Sequence, residues 1–180
     1  MNKKAFTIIE LIVVVSILTI ILVVGVVNLR SAGTVANDEE RKTDVSNFAK
    51  ALEDYYLYGT TSPNDPYNLT PPNEYPDTSQ FGTSATNYAN LTSILSDFDT
   101  NNVTAPGVTT TGSTLVMATN NVATTAGITP QPTTSQYVYQ PISSTGSLCT
   151  NTTTQNCRKF YIYYKLESDS TVYQLASKNK

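Results

Sequence analysis

The chain has 180 residues, with 11 Lys and Arg against 14 Asp and Glu, no His, and a formal net charge of −3. That length suggests one folded domain beside any hydrophobic segment. From Ala51 to Cys157 there is no Lys or Arg, while seven acids occur; this argues against nucleic-acid binding by the globular part, which needs a basic patch, and reads as a solvated acidic surface.

The chain opens with Lys3-Lys4-Ala5-Phe6-Thr7-Ile8-Ile9-Glu10-Leu11 and continues into an apolar run. From Leu11 to Val27 the only polar members are Ser16 and Thr19. With Ile8, Ile9 and Leu29 this makes a helix of about 20 residues, enough for a ~30 Å hydrocarbon core. Lys3 and Lys4 precede it, and Arg30 alone follows before the acids Asp38, Glu39 and Glu40. The positive-inside rule then places the N-terminus in the cytoplasm and the bulk of the chain outside. Glu10 is the one acid in this run. An acid at membrane depth costs roughly 2.5–3.5 kcal/mol on insertion scales, so it marks a function and a partner. Two plainer readings stay open. One is a secretory signal peptide cut near Thr34-Val35-Ala36, although the run exceeds the ~7–15 residues of a usual apolar core. The other is a simple single-span anchor.

From Asp38 the helical pattern resumes in amphipathic form. Val45, Phe48, Ala49, Leu52, Tyr55 and Tyr56 recur at spacings of three and four and share a face, with Arg41, Lys42, Asp44, Lys50, Glu53 and Asp54 mostly on the rest. Gly59 is the predicted stop. If residues 6–58 are nearly continuous, they extend about 80 Å at 1.5 Å per residue. A helix apolar all round in one half and amphipathic in the other is a stalk, one end in lipid or among other stalks, the other lying on a domain.

Pro63 to Phe81 is proline-rich loop. Leu91, Ile94, Leu95 and Phe98 have helical spacing and predict one short helix over Asn90–Phe98. Residues 100–135 are dominated by Thr, Asn, Gly and Pro and carry one apolar island, Leu115 to Ala118, which fits a strand; the remainder reads as polar surface. Tyr137-Val138-Tyr139 is β-prone. Arg158 to Leu166 alternates, with Phe160, Ile162, Tyr164 and Leu166 on one face and Tyr161, Tyr163 and Lys165 on the other. A turn at Glu167–Ser170 and a strand over Thr171–Ala176 complete an antiparallel hairpin. Such a hairpin needs a third strand and a helix on its apolar face, and the amphipathic half of the long helix supplies the cover.

The string around Phe6 and Glu10 closely resembles the processing and assembly signal of type IV pilins and type II secretion pseudopilins. The segment Arg41 to Tyr56, ending Leu52-Glu53-Asp54-Tyr55-Tyr56, and the terminal hairpin Tyr161 to Ala176 resemble the same family more loosely. The resemblance implies an α+β, type IV pilin-like fold, a long N-terminal helix packed on a small C-terminal antiparallel sheet. It divides the chain into a leader (1–5), a transmembrane and assembly helix (6–29), its amphipathic continuation (30–58) and an extracytoplasmic domain (59–180), with a loop-rich middle (60–135) and a hairpin region (137–177). It implies cleavage between Ala5 and Phe6 by a prepilin peptidase, N-methylation of Phe6, and pairing of the Glu10 carboxylate with the Phe6 amine of a neighbouring subunit. A buried charge is tolerable when an opposite charge meets it.

Loss of Lys3 and Lys4 with the leader takes the net charge from −3 to −5. The implied partners are copies of the chain in a helical filament, the peptidase, an inner-membrane assembly platform and membrane lipid. The implied itinerary is a single-pass N-in precursor in the cytoplasmic membrane, then an extracellular or periplasmic filament. A minor or priming subunit and a membrane-tethered adhesin that never polymerises are the alternatives. The chain departs from the family in two places: Ala5 stands where Gly is usual, and Val27 stands where many pilins carry Pro.

Cys149 and Cys157 are suited to a disulfide in an exported chain. It would close a nine-residue segment, worth about 2.5 kcal/mol in the chain-entropy account. Asp97-x-Asp99-x-Asn101 has the opening spacing of a calcium loop but lacks the Gly at loop position six and the acid at position twelve. Glu167 and Asp169 are a second candidate set, because major pseudopilins bind calcium in a C-terminal loop. No catalytic residue and no cofactor are expected: the chain has no His and no nucleophile motif such as GxSxG.

Overall fold

The computed structural model describes residues 7–59, 73–81, 88–95, 98–108, 114–151 and 155–179. Its elements are helix α1 (Ile8–Tyr58), helix α2 (Tyr88–Ile94), a 3₁₀ turn (Thr100–Val103), and strands β1 (Leu115–Met117), β2 (Tyr137–Ser143), β3 (Cys157–Lys165) and β4 (Val172–Ala176). The chain divides into two compact units, Met1–Ala36 and Asn37–Lys180. The α+β class expected from the sequence is the observed one.

The first unit holds the apolar part of α1. Its large side chains are exposed on every face, from Ile8 through Leu11, Ile12 and Leu18 to Val26. The two polar residues inside it return their hydroxyls to the helix: Ser16 Oγ donates to the Val13 carbonyl, and Thr19 Oγ1 to those of Val15 and Ser16. Polar atoms closed off in this way are compatible with lipid, where no water is present to satisfy them.

In the second unit, the continuation of α1 buries Val45, Phe48, Ala49, Leu52 and Tyr55, the face anticipated from their spacing. The helix ends at Gly59, whose φ is +68° and whose N–H donates to the Tyr55 carbonyl at 2.7 Å. Glycine adopts this left-handed closing geometry without steric cost. Phe48 packs edge-on against Tyr139 with ring centres 5.8 Å apart, and Phe160 meets Tyr75 edge-on at 4.8 Å. Together with Leu91, Ile94 and Ile162 these side chains form the main core.

The sheet has four strands in the order β1-β2-β3-β4. β2–β3 and β3–β4 are antiparallel, the latter pairing Tyr161 with Ala176 and Lys165 with Val172. The expected sheet was wholly antiparallel; the observed one is mixed, because β1 lies parallel to β2 with Leu115 opposite Tyr137. Parallel neighbours need a crossover of a dozen or more residues, and residues 118–136 supply it.

That crossover also changes the second face of the sheet. Tyr163, expected on the outward side, is fully buried with Ala118, Ile128 and Val138 in a smaller core. The polar stretch owes its order to side-chain amides. Gln131 Nε2 donates to the carbonyls of Thr125, Ala126 and Ile128, and Asn120 Nδ2 to that of Gly127. Buried Gln140 donates to the Asn120 carbonyl and accepts from the Tyr163 hydroxyl at 2.9 Å. A Thr/Asn/Gln-rich loop can therefore cover a sheet face once its backbone groups are satisfied.

Candidate functional site

Two groups of residues carry the chemistry: the head of α1, and a set of buried charges where the second unit begins. At the head of α1, Thr7 caps the helix. Its N–H and its hydroxyl both donate to Glu10 Oε2 at 2.9 Å, and the Glu10 N–H donates to Thr7 Oγ1 at 3.2 Å. This is the reciprocal Thr-x-x-Glu box, which satisfies amide groups left open at a helix start. It aims the carboxylate of Glu10 toward the N-terminal end of the helix. Glu10 is an exposed acid followed by exposed aliphatic side chains. Ala5 and Phe6 lie outside the described residues.

In the second unit the structure brings together groups that the sequence did not suggest. Arg41 and Asp44, assigned to the solvent side of the helix, are both buried, as is Asp38. The reason is register: Asp38, Arg41, Val45, Phe48, Leu52 and Tyr55 continue one stripe at spacings of three and four. Arg41 Nη1 meets Asp38 Oδ1 at 2.8 Å, and its Nε donates to the Thr134 carbonyl at 3.1 Å. Asp38 also accepts the backbone N–H groups of Glu167 at 2.8 Å and Ser168 at 3.0 Å. The start of this helical segment is thus fastened to the β3–β4 turn. Burial pushes the Asp38 carboxyl up, but hydrogen bonds from Glu167, Ser168 and Arg41 outweigh it and hold the group at about 2.

Asp44 behaves oppositely. Burial raises it to about 6, against the lowering effect of the Tyr137 hydroxyl, which donates to Oδ2 at 2.8 Å. The charges of Glu40 and Asp99 add to the rise, and Arg41 opposes it. The two acids therefore give opposite pH limbs. Asp38 sits below its unfolded value of 3.8, so its contribution is complete above that pH and is lost as pH falls toward 2. Asp44 favours its protonated form in the fold, so stability declines as pH rises from 3.8 through 6. Each limb is worth on the order of 1–3 kcal/mol. Denaturant titrations across pH should show the decline between pH 4 and 6 vanish in Asp44→Asn while the acid limb persists. An unchanged profile in Asp44→Asn would remove Asp44 as its source.

Glu53 fastens the other end of the unit. Its Oε1 accepts the Lys178 N–H at 2.8 Å, and its Oε2 accepts from Tyr75 Oη at 2.9 Å and Asn179 Nδ2 at 3.1 Å.

Cys149 and Cys157 are joined, with Cα atoms 5.9 Å apart, and both are buried in the main core. The calcium candidates are occupied differently. Asp99 Oδ1 accepts the Asn101 N–H at 2.9 Å and so caps the 3₁₀ turn; Asp97 lies outside the described residues. Glu167 Oε2 faces Arg41 at 3.4 Å. Asp169 accepts from the Thr171 N–H and the Tyr173 hydroxyl, both at 2.8 Å. No three of His, Cys, Asp and Glu come together among the described residues.

No match was found among curated proteins, and none among solved structures. Residues 1–26 match the family model described as the prokaryotic N-terminal methylation motif. The matched span covers Ala5, Phe6, the Thr7–Glu10 box and most of the apolar helix. The chain thus carries at its head the class III signal that characterises type IV pilins and pseudopilins.

Proposed function

We propose that the chain is a structural subunit of a type IV pilus or pseudopilus filament. It is inserted as a single-pass N-in precursor, cut between Ala5 and Phe6 by a prepilin peptidase, methylated on the new Phe6 amine, and polymerised from the membrane by an inner-membrane platform. Copies associate through the apolar part of α1, and the Glu10 carboxylate of one copy meets the Phe6 amine of another. The observation that carries this reading is the methylation motif over residues 1–26, coincident with a helix whose aliphatic side chains are exposed on all faces. An apolar surface of that extent needs lipid or like helices around it. The outer unit, closed by the Cys149–Cys157 bridge, then forms the filament surface.

Intact mass decides the processing step. Protein from a host with a prepilin peptidase should have the mass of a chain beginning at Phe6 plus one methyl group. The same preparation, digested without reduction, should yield the Cys149 and Cys157 peptides joined. A chain beginning at Met1 or at Asn37 would sink the filament reading, the first in favour of a tether and the second in favour of an ordinary signal peptide.

A further inference from the structure

A concavity of about 440 Å³ opens in the second unit between the first residues of β3, the turn after β2 and the crossover at Asn121–Ala123. Lys159 and Tyr161, two apart on β3, line one side and so share a face of the strand. Ser143, Ser144, Thr145 and Asn121 line much of the rest, and no acid does. The walls are tied to each other before any ligand arrives. Asn121 Nδ2 donates to the Gly146 carbonyl at 3.1 Å, and Ser143 Oγ is 2.9 Å from Thr145 Oγ1. The turn is closed by the Gly146 N–H donating to the Ser143 carbonyl at 3.0 Å, with Gly146 at φ +84°. Preformed walls of this kind are what small-molecule sites share.

The charge at this place stands against the rest of the chain. Lys159 is partly buried and, among the described residues, its ammonium group makes no hydrogen bond or ion pair. Its neighbour Arg158 is committed elsewhere, to the Asn73 carbonyl and the Tyr56 hydroxyl. In a chain of net charge −3, this is a pocket whose lining carries a single cation. Clefts lined by one sign of charge concentrate the field and attract the opposite sign. The polar lining beyond Lys159 consists of hydroxyls and one amide, and Tyr161 offers an aromatic wall. The volume is far larger than a lone carboxylate or phosphate needs, and falls in the ~300–1,000 Å³ range of sites that hold a whole small molecule.

We propose that this concavity binds a uronic acid: a sugar ring whose carboxylate meets Lys159, whose hydroxyls exchange hydrogen bonds with Ser144, Thr145 and Asn121, and whose apolar face rests on Tyr161. The site lies wholly within the second unit, so it stands whether or not the chain polymerises, and a failed filament assay does not touch it.

The test is calorimetric titration of the full-length chain in detergent micelles with D-glucuronate, D-glucose and acetate at fixed ionic strength. Glucuronate should bind saturably in the millimolar range, with glucose and acetate each at least tenfold weaker. Lys159→Gln should weaken glucuronate at least tenfold and Tyr161→Ala severalfold, with thermal unfolding of Lys159→Gln unchanged. Lys178→Gln, outside the concavity, should bind as wild type. Four results would overturn the proposal: no saturable heat with glucuronate, equal binding of glucose, wild-type binding by Lys159→Gln, or acetate binding as tightly as glucuronate, which would show a bare carboxylate site instead.

Discussion

Glu10→Ala should be inserted and processed normally and yet enter filaments poorly. In the proposed filament, the variant would leave the neighbour's Phe6 amine unpaired in a low-dielectric bundle, a change of about 3–5 kcal/mol for a buried pair broken from one side. At ~1.4 kcal/mol per tenfold, sheared filament relative to membrane-stored subunit should fall by a factor of about 100 or more. The second unit should fold as before, because the long-range hydrogen bonds of Asp38, Arg41 and Asp44 that help hold it lie far along the chain from Glu10. The capping box supplies a sharper variant. Glu10 accepts both Thr7 donors through Oε2, and a Gln amide oxygen can accept them equally well. Glu10→Gln therefore keeps the helix cap and removes the charge. If the charge pair governs assembly, Glu10→Gln should fail nearly as badly as Glu10→Ala, and Glu10→Asp should be intermediate because its reach is shorter. Wild-type filament yield from Glu10→Gln would reduce Glu10 to a helix cap.

The second large effect is expected at Arg41, in the folding of the second unit. Its side chain is 3% exposed and its Asp38 partner 5%. Arg41→Ala strands the Asp38 carboxylate in a buried site and leaves the Thr134 carbonyl without its donor. The expected loss is about 3–5 kcal/mol, read as a lower denaturant midpoint at unchanged slope for the full-length chain in detergent. Lys42 and Glu39 form a pair of nearly the same length, 2.7 Å against 2.8 Å, with side chains 45% and 65% exposed. Lys42→Ala should cost ~1 kcal/mol or less, since water and salt screen such a pair. The contrast is the test: equal effects at Arg41 and Lys42 would mean that burial does not set the strength of the Arg41 contacts. Asp38→Asn should also destabilise, because Asp38 accepts two backbone amides of the β3–β4 turn.

Much of the arrangement was legible from residue spacing. Val45, Phe48, Leu52 and Tyr55 announce a helix face because apolar side chains at intervals of three and four must lie together on a 3.6-residue helix. Gly59 announces the stop, and the alternation from Phe160 to Leu166 announces β3. Glu10 stood out because a single acid in an apolar helix has no cheap place to go. Each of these signals is local, set by neighbours within a few residues along the chain.

What the sequence by itself determined, then, is the apolar helix with its one acid, the methylation signal over residues 1–26, and the helix-plus-hairpin frame of the second unit. Tertiary structure alone decided three other things. Asp38 and Arg41 are buried because their partners, the amides of Glu167 and Ser168 and the Thr134 carbonyl, arrive from 93 to 130 residues away; a charge reads as surface until such partners are known. Tyr163 is buried because the polar crossover folds over the second sheet face, which alternation alone marks as wet. Leu115–Met117 runs parallel to β2 because a three-residue strand takes its direction from the connection that follows it, and a connection's path is set by long-range packing and side-chain amide bonds that leave no periodic trace in the sequence.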